Sequence, residues 1–268
     1  MTELSRASPQ AEIEAVQAEI GFRDEMVVKA EHYYVWAIGG SPAIAELLPL
    51  DKAGLNVLFM DDIKAFRAKK VKILNGSHTA MSAIALQLGC CTVKEAFSTP
   101  LVDRLINQMV AQEVLPTIDG DRHELEAFTK QILERFYNPF LQHQLADIAL
   151  NALSKWTTRN LPVVVDRWHS REEAPLTVFS FAALLVLYSG ESENTGFQPR
   201  DDERIVEELR GTFERNNIPG WVTGTVEILS LPELLGEAAA RRLAAETSRA
   251  VQLILGQGMG RAAREYLG

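Results

Sequence analysis

Cysteine is scarce in this sequence, with two in 268 residues, adjacent at Cys90 and Cys91. So small a supply excludes a disulfide-stapled secreted scaffold and any four-cysteine zinc site. Two buried thiols in a reducing compartment are expected instead. Basic charge is also short: Lys and Arg number 27 against 36 Asp and Glu, a formal net charge of −9. No nucleic-acid partner is expected, because phosphate binding needs a basic face. Long apolar runs are missing. The longest, Val178–Tyr188, is interrupted by Ser180 and falls well short of the ~20 residues that span a bilayer. It reads as a buried helix, and no membrane association is expected. Met1–Gln10 is polar and lacks the apolar stretch of a secretion signal, so a cytoplasmic chain is expected.

Familiar catalytic motifs are absent too. The sequence has no HExxH, no CxxC and no Walker-type loop. Gly39-Gly40-Ser41-Pro42-Ala43 approaches a nucleophile elbow but has Ala43 in place of the second glycine. Gly256, Gly258 and Gly260 follow a helical pattern where a dinucleotide loop would follow a strand, so they read as a helix end and a turn. His32, His78, His123, His143 and His169 include no pair at ligand spacing on one helix, and no metal is expected.

What remains is an ordinary globular composition, 47% hydrophobic and 24% charged, long enough to bury a core. Ile13, Val16 and Ile20 predict a short N-terminal helix. β-branched and aromatic residues over 26–38, closed by Gly39-Gly40-Ser41-Pro42, predict a strand, and Gly54–Met60 predicts another. Two strands are too few to stand alone; they pair with each other or belong to a larger sheet. From Asp62 the signals are helical. Thr92 and Glu95 form a capping box, Thr99-Pro100 starts a helix, and Asp121 with Glu124 opens the next, which stops at Asn138-Pro139. A long helix is predicted over Phe140–Trp168, with Leu141, Leu145, Ile148, Ala152 and Trp156 inward and a kink or break at Pro162. Helices over Pro175–Tyr188, Asp201–Asn216 and Leu231–Leu255, a loop over Gly190–Arg200 and a short C-terminal piece complete a mainly α fold with a small β element near residues 26–60.

The segment Lys69–Thr79, KKVKILNGSHT, carries the chemistry. Lys69, Lys70 and Lys72 crowd a stretch with apolar Val71, Ile73 and Leu74. Crowding and partial desolvation make an ammonium group a better proton donor near neutral pH. Asn75-Gly76 is a turn signal, and Ser77 is a plausible cap for a new helix. In an unbroken α-helix Lys70 and Asn75 lie about 140° apart. A break at Gly76 is therefore expected to gather Lys70, Asn75 and His78: a proton-transfer amine, an amide for a developing oxyanion, and an imidazole for a hydroxyl. Lys155 falls on the inward stripe with Ile148 and Ala152, either as a snorkelling side chain or as a cation aimed at a ligand.

Lys70-x4-Asn75-x2-His78 matches the K-x4-N-x2-H signature of the polyol-specific long-chain dehydrogenases, the mannitol dehydrogenase superfamily. AEHYYVWAIGG, AGLNVLFMDD, KVKILNGSHTA, TVKEAF, EVLPTID, ERFYNPFLQHQLADIALNALSKW and TRNLP resemble its tagaturonate reductase (altronate oxidoreductase) branch, over roughly Ile20–Asp202. The resemblance implies NAD(H)-dependent interconversion of D-tagaturonate and D-altronate. It also implies a multi-helix domain like the C-terminal domain of 6-phosphogluconate dehydrogenase. In that chemistry Lys70 is the general base toward the alcohol and the general acid in reduction, Asn75 polarises the carbonyl, and His78 hydrogen-bonds the substrate. Lys155 matches a lysine that contacts substrate. Where mannitol-type enzymes carry an arginine this chain has Asp147, and Lys155 or Arg159 would supply the cation an acidic substrate needs.

The implied organisation is an N-terminal tail and short helix over 1–21, a remnant of a cofactor domain over 22–60 and a helical substrate-binding domain over 61–268. NAD is expected on a Rossmann-like domain that this sequence does not show, as in a split or truncated enzyme, so no cofactor-binding residue is assigned. The expected partners are a small hexuronate or polyol and a separate Rossmann domain chain. Two alternatives stand beside this reading: a helical interaction module without turnover, and a fructuronate or mannitol dehydrogenase.

Overall fold

The computed structural model describes residues 6–7, 10–29, 34–138, 143–192 and 196–268. Its contacts divide into two units, Met1–Arg67 and Ala68–Gly268. Leu141, expected on an inward stripe, and His32 lie outside the described residues.

In the first unit β1 (Arg6–Ala7) precedes α1 (Gln10–Ile20), and β1 pairs antiparallel with β2 (Val28–Lys29). The expected helical stripe forms, but Val16 and Ile20 remain exposed. Next come β3 (Trp36–Gly39), α2 (Ala43–Leu47) and β4 (Val57–Met60). The two predicted strands do pair with each other, and they pair parallel, Trp36 opposite Val57 through Gly39 opposite Met60. Parallel strands need a crossover, and α2 lies in it. The strand end is tight: a Cβ at Gly39 would stand 2.9 Å from Ile63 Cγ2. Trp36 and Leu58 are exposed on this two-stranded sheet, as is Leu47 on α2, although parallel sheets ordinarily have both faces covered.

The second unit is all helical. It takes up within α3 (Lys64–Lys70), passes through a π-helical turn at Val71–Asn75 and continues as α4 (Gly76–Gln87). The thiol expectation is corrected in the loop that follows: Cys90 is buried, but Cys91 is exposed. α5 (Val93–Ser98) starts with the capping box read from the sequence, Thr92 Oγ1 accepting from Glu95 N at 3.2 Å. α6 (Pro100–Met109) runs into a second π turn, Val110–Val114, and a 3-10 turn, Leu115–Thr117. α7 (Arg122–Phe136) is capped by Asp121, which accepts from Glu124 N at 3.0 Å.

The single long helix expected over 140–168 is, in its described part, three: α8 (Leu145–Ile148), α9 (Ala152–Arg159) and α10 (Leu161–His169). Asn151 takes a left-handed conformation between the first two, and Pro162 sits in the first turn of α10, where its missing N–H costs nothing. Then come α11 (Pro175–Ser189), α12 (Glu203–Gly211), a 3-10 turn at Arg215–Asn217, and α13 (Ile218–Ile228). The helix expected at Asp201–Asn216 therefore stops early, and α13 was not foreseen. Leu231–Leu255 is likewise two helices, α14 (Leu231–Leu235) and α15 (Glu237–Gln257), divided by Gly236 at φ +80°. Gly258 ends α15, as the glycine pattern suggested, and α16 (Met259–Leu267) closes the chain.

The core is built around α11, buried from Leu176 to Ser189 and packed against α15 and α4. A helix apolar on every side is stable only when enclosed, and each buried Leu, Val or Phe contributes about 1.5–3 kcal/mol. Trp156 stacks on Phe181 at 4.2 Å between ring centroids, and its indole N–H donates to Ser180 Oγ at 3.0 Å. No described helix is long and apolar enough to cross a membrane.

Candidate functional site

Lys70, Asn75 and His78 lie along one uninterrupted helical path, not on two sides of a break. Gly76 has φ −63° and Ser77 is interior to the helix, so neither the turn nor the cap forms. A π turn takes their place. The Gly76 N–H reaches the carbonyl of Val71, five residues back. Bonding over five residues widens the turn, so Lys70 and Asn75, far apart around an α-helix, come closer in azimuth.

A widened turn loosens the backbone ladder, and side chains take up its carbonyls. Asn75 O accepts from Thr79 Oγ1 at 2.9 Å and from Arg159 Nη1 at 3.4 Å. Gly76 O accepts from Asn160 Nδ2 at 3.2 Å. The C-terminal end of α9 is thereby fastened to the π turn, which ties Arg159 to Asn75. Asn75 and His78 are buried, and Lys70 is half-buried. The three-lysine cluster does not persist. Lys72 turns to Thr117 O at 2.9 Å and to Asp166 at 2.7 Å, away from Lys70.

His78 is held on two sides. Phe136 stacks on its ring at 4.3 Å, and His143 meets it edge-on at 5.5 Å. His143 is placed by a backbone bridge: Val93 N donates to His143 O at 3.0 Å and Leu145 N to Cys91 O at 2.9 Å. Burial holds the His78 pKa well below the ordinary 6.5, and the charges of His143, Arg159, Arg135 and Lys155 push the same way. A neutral imidazole can both donate and accept a hydrogen bond, which suits a sugar hydroxyl. Lys155 Nζ donates to Ile148 O at 2.9 Å, at the C-terminal end of α8. Sequence reasoning singled out Lys155 and Arg159 but gave no place to His143, whose position is set by a backbone bridge that helical periodicity does not report.

Asp147 is matched by a cation from elsewhere in the chain, since Arg200 Nη2 reaches it at 2.9 Å. A cleft of ≈ 830 Å³ between α6 and α7 is lined by none of the expected residues, and its Arg104, Arg122 and Lys130 are balanced by Asp103, Glu126 and Glu134. Among the described residues no group of three or more His, Cys, Asp or Glu could hold a metal. The Gly256–Gly260 stretch joins two helices, and Gly39 and Gly40, at the end of β3, pack against Ile63 and Ile44.

Residues 62–222 match the mannitol dehydrogenase C-terminal domain. The chain is 39% identical to an altronate oxidoreductase of Enterobacter sp. (strain 638) over 210 residues, 78% of this chain and 44% of that protein. It is 33% identical to one of Yersinia pestis over 267 residues, 96% of this chain and 54% of the relative. It thus spans about half the length of the curated relatives it matches. Among solved structures it superimposes on the Pseudomonas fluorescens mannitol 2-dehydrogenase ternary complex with NAD and D-mannitol, with a TM-score of 0.78 at 19% identity, covering 97% of this chain and 52% of that one. A substrate-free D-sorbitol dehydrogenase gives a TM-score of 0.71 at 19% identity, with the same coverages. Those two likenesses establish the mainly α fold, and the match over 62–222 establishes descent: the chain belongs to the mannitol dehydrogenase C-terminal domain family.

Proposed function

We propose that this chain is the sugar-binding, proton-transferring part of an NAD(H)-dependent oxidoreductase that interconverts D-tagaturonate and D-altronate. Lys70 gives a proton to the carbonyl oxygen in reduction and takes it back in oxidation. Asn75 donates its amide to that oxygen as negative charge develops there. His78, kept neutral, bonds a neighbouring hydroxyl, and Lys155 and Arg159 bind the acid group. The observation that carries the reading is the π turn between Lys70 and Asn75, anchored by Arg159 and Asn160. Single π turns inserted in helices recur at functional sites.

NAD(H) is assigned to a separate Rossmann-type domain, a reading supported by the chain matching only about half the length of its oxidoreductase relatives. The exposed apolar side chains on the β3–β4 pair suit a partner that completes its sheet. The segments 1–21, 22–60 and 61–268 then read as tail, interdomain β segment and catalytic body, working in the cytoplasm.

The test is NADH oxidation with tagaturonate, by this chain alone and mixed with a separately expressed cofactor domain. Turnover is expected in the mixture, faster than with fructuronate or fructose. Lys70→Ala is expected to lower it by about 10²–10⁴-fold with an unchanged melting curve. Turnover that survives Lys70→Ala removes the lysine from the mechanism. No turnover in the mixture favours a non-catalytic module.

A further inference from the structure

The cleft between α6 and α7 is a trough bounded at both ends by bonds from one wall to the other. Tyr137 Oη donates to Asp103 Oδ1 at 2.8 Å at one end, and Arg122 Nη2 donates to Ala111 O at 3.5 Å at the other. From Asp103 to Ala111 a helix rises about 12 Å, at about 1.5 Å per residue. A trough of that length and ≈ 830 Å³ suits a small molecule rather than a helix or a long peptide. The wall on the α6 side includes part of the second π turn, Val110–Val114, to which no role has been given. Such turns recur at functional sites.

The two walls differ in what they leave unmet. On α7 the charges answer one another, Arg122 with Glu126 at 2.6 Å and Lys130 with Glu134 at 3.9 Å. Asp103 is met by Tyr137 and by Asn107 Nδ2 at 2.8 Å. Arg104, Gln108 and Gln112 follow one another at intervals of four along the other wall. Among the described residues none makes a hydrogen bond or ion pair with these three side chains. Arg104 is thus the charged group of the lining that lacks a partner there. The floor is apolar, with Val110, Leu115 and Leu133 buried. It also holds Thr129, which is 7% exposed and whose hydroxyl has no hydrogen-bond partner. The helical Thr79, Thr157 and Thr225 each donate to the carbonyl four residues back, and Thr129 does not. A buried polar group left in that state calls for a partner.

We propose that this trough binds a small organic acid, with its apolar body on Val110, Leu115 and Leu133 and its carboxylate on the guanidinium of Arg104, beside the amides of Gln108 and Gln112. A free guanidinium presents a planar fork that takes both oxygens of a carboxylate. The acidic groups of the α7 wall are already paired and do not compete for it. The site shares no residue with Lys70, Asn75 and His78, so its test succeeds or fails independently of the reaction assigned to them.

Calorimetric titration of the full chain with hydrocinnamate, and with hydrocinnamyl alcohol, which has the same body without the charge, tests it. The acid should bind at millimolar concentration or below, and about tenfold or more tighter than the alcohol. Arg104→Gln should weaken the acid by about tenfold while moving the alcohol by less than about twofold, with an unchanged melting curve because no bond is lost. Arg104→Lys should recover part of the loss. Ala111→Trp, at an exposed position of the lining, should fill the trough and abolish binding of both. Arg264→Gln, which removes an exposed charge on α16, should change neither. No binding of the acid by the native chain, equal binding of acid and alcohol, acid binding indifferent to Arg104→Gln, or binding that survives Ala111→Trp overturns the proposal. If Ala111→Trp melts as an unfolded chain, Gln112→Trp, exposed on the same wall, decides in its place. If sedimentation finds the native chain dimeric and the tryptophan variant monomeric, the trough is a contact between copies and the proposal falls.

Discussion

Replacing Glu113 by Gln is expected to destabilise the helical body by about 2–3 kcal/mol. Glu113 sits on the second π turn, 3% exposed. One carboxylate oxygen accepts from Leu176 N at 2.8 Å; the other accepts from Thr177 N at 2.8 Å and Thr177 Oγ1 at 2.6 Å. These groups open α11, the central helix, whose first N–H donors have no partner within the helix. A bond from a neutral donor to a charged acceptor contributes about 1.5–3 kcal/mol. The glutamine oxygen can keep one side of the arrangement, but its NH2 then faces a donor on the other. Part of the loss is offset because a buried charge is removed. In a body of about 200 residues each kcal/mol moves the melting temperature by about 2–4 °C, so a fall of about 4–12 °C should appear in circular dichroism melts.

The pH dependence carries a sign. Burial raises the Glu113 pKa above its ordinary 4.5, against the pull of Thr177 and the α11 N–H groups. The folded chain therefore holds this proton more tightly than the unfolded chain does. Stability from Glu113 is complete below about pH 4.5 and declines as pH rises through the raised value. The gap between native protein and Glu113→Gln should narrow over that range. A Gln variant melting within about 1 °C of native, or a gap that widens with pH, would refute the reasoning.

Ser180→Ala leaves the Trp156 indole N–H buried without its acceptor and should cost about 1–2 kcal/mol, read from urea midpoints. Thr92→Ala removes the capping box of α5 and should cost about 1 kcal/mol in the same assay, with Thr92→Ser restoring most of it. His78 should remain neutral well below pH 6.5 in an NMR titration, and its share of stability should be lost as pH falls below that value, because the unfolded chain takes the proton first. A His78 resonance that titrates near 6.5 would contradict the burial and the cationic surroundings described for it.

Caps and stripes were the legible part of this sequence because they are local. Thr92 with Glu95, and Asp121 with Glu124, mark helix starts through contacts three residues apart, and both are present. The apolar run at 175–188 could only be a buried helix, and it is. Helix breaks without proline or a cap were not legible. Asn151 and Gly236 divide helices where the hydrophobic pattern runs on, because tertiary packing selects a left-handed residue that periodicity cannot report. At the site, the residue types of KKVKILNGSHT suggested a chemistry, but asparagine-glycine suggested a turn that does not form. The backbone there stays helical because Arg159 and Asn160, 84 residues away in sequence, hold its carbonyls.

The π turn at Val71–Asn75 also makes the chain's length at this point a chemical variable. Removing one residue between Lys70 and Asn75 would restore a regular α ladder, and because a π turn takes up one extra residue over nearly the same rotation, the helix on either side would keep almost the same facing. The deletion would therefore shorten the path from Lys70 to Asn75 without re-aiming the core helices. A homologue one residue shorter here should keep the same scaffold, with a straight helix in place of the widened turn.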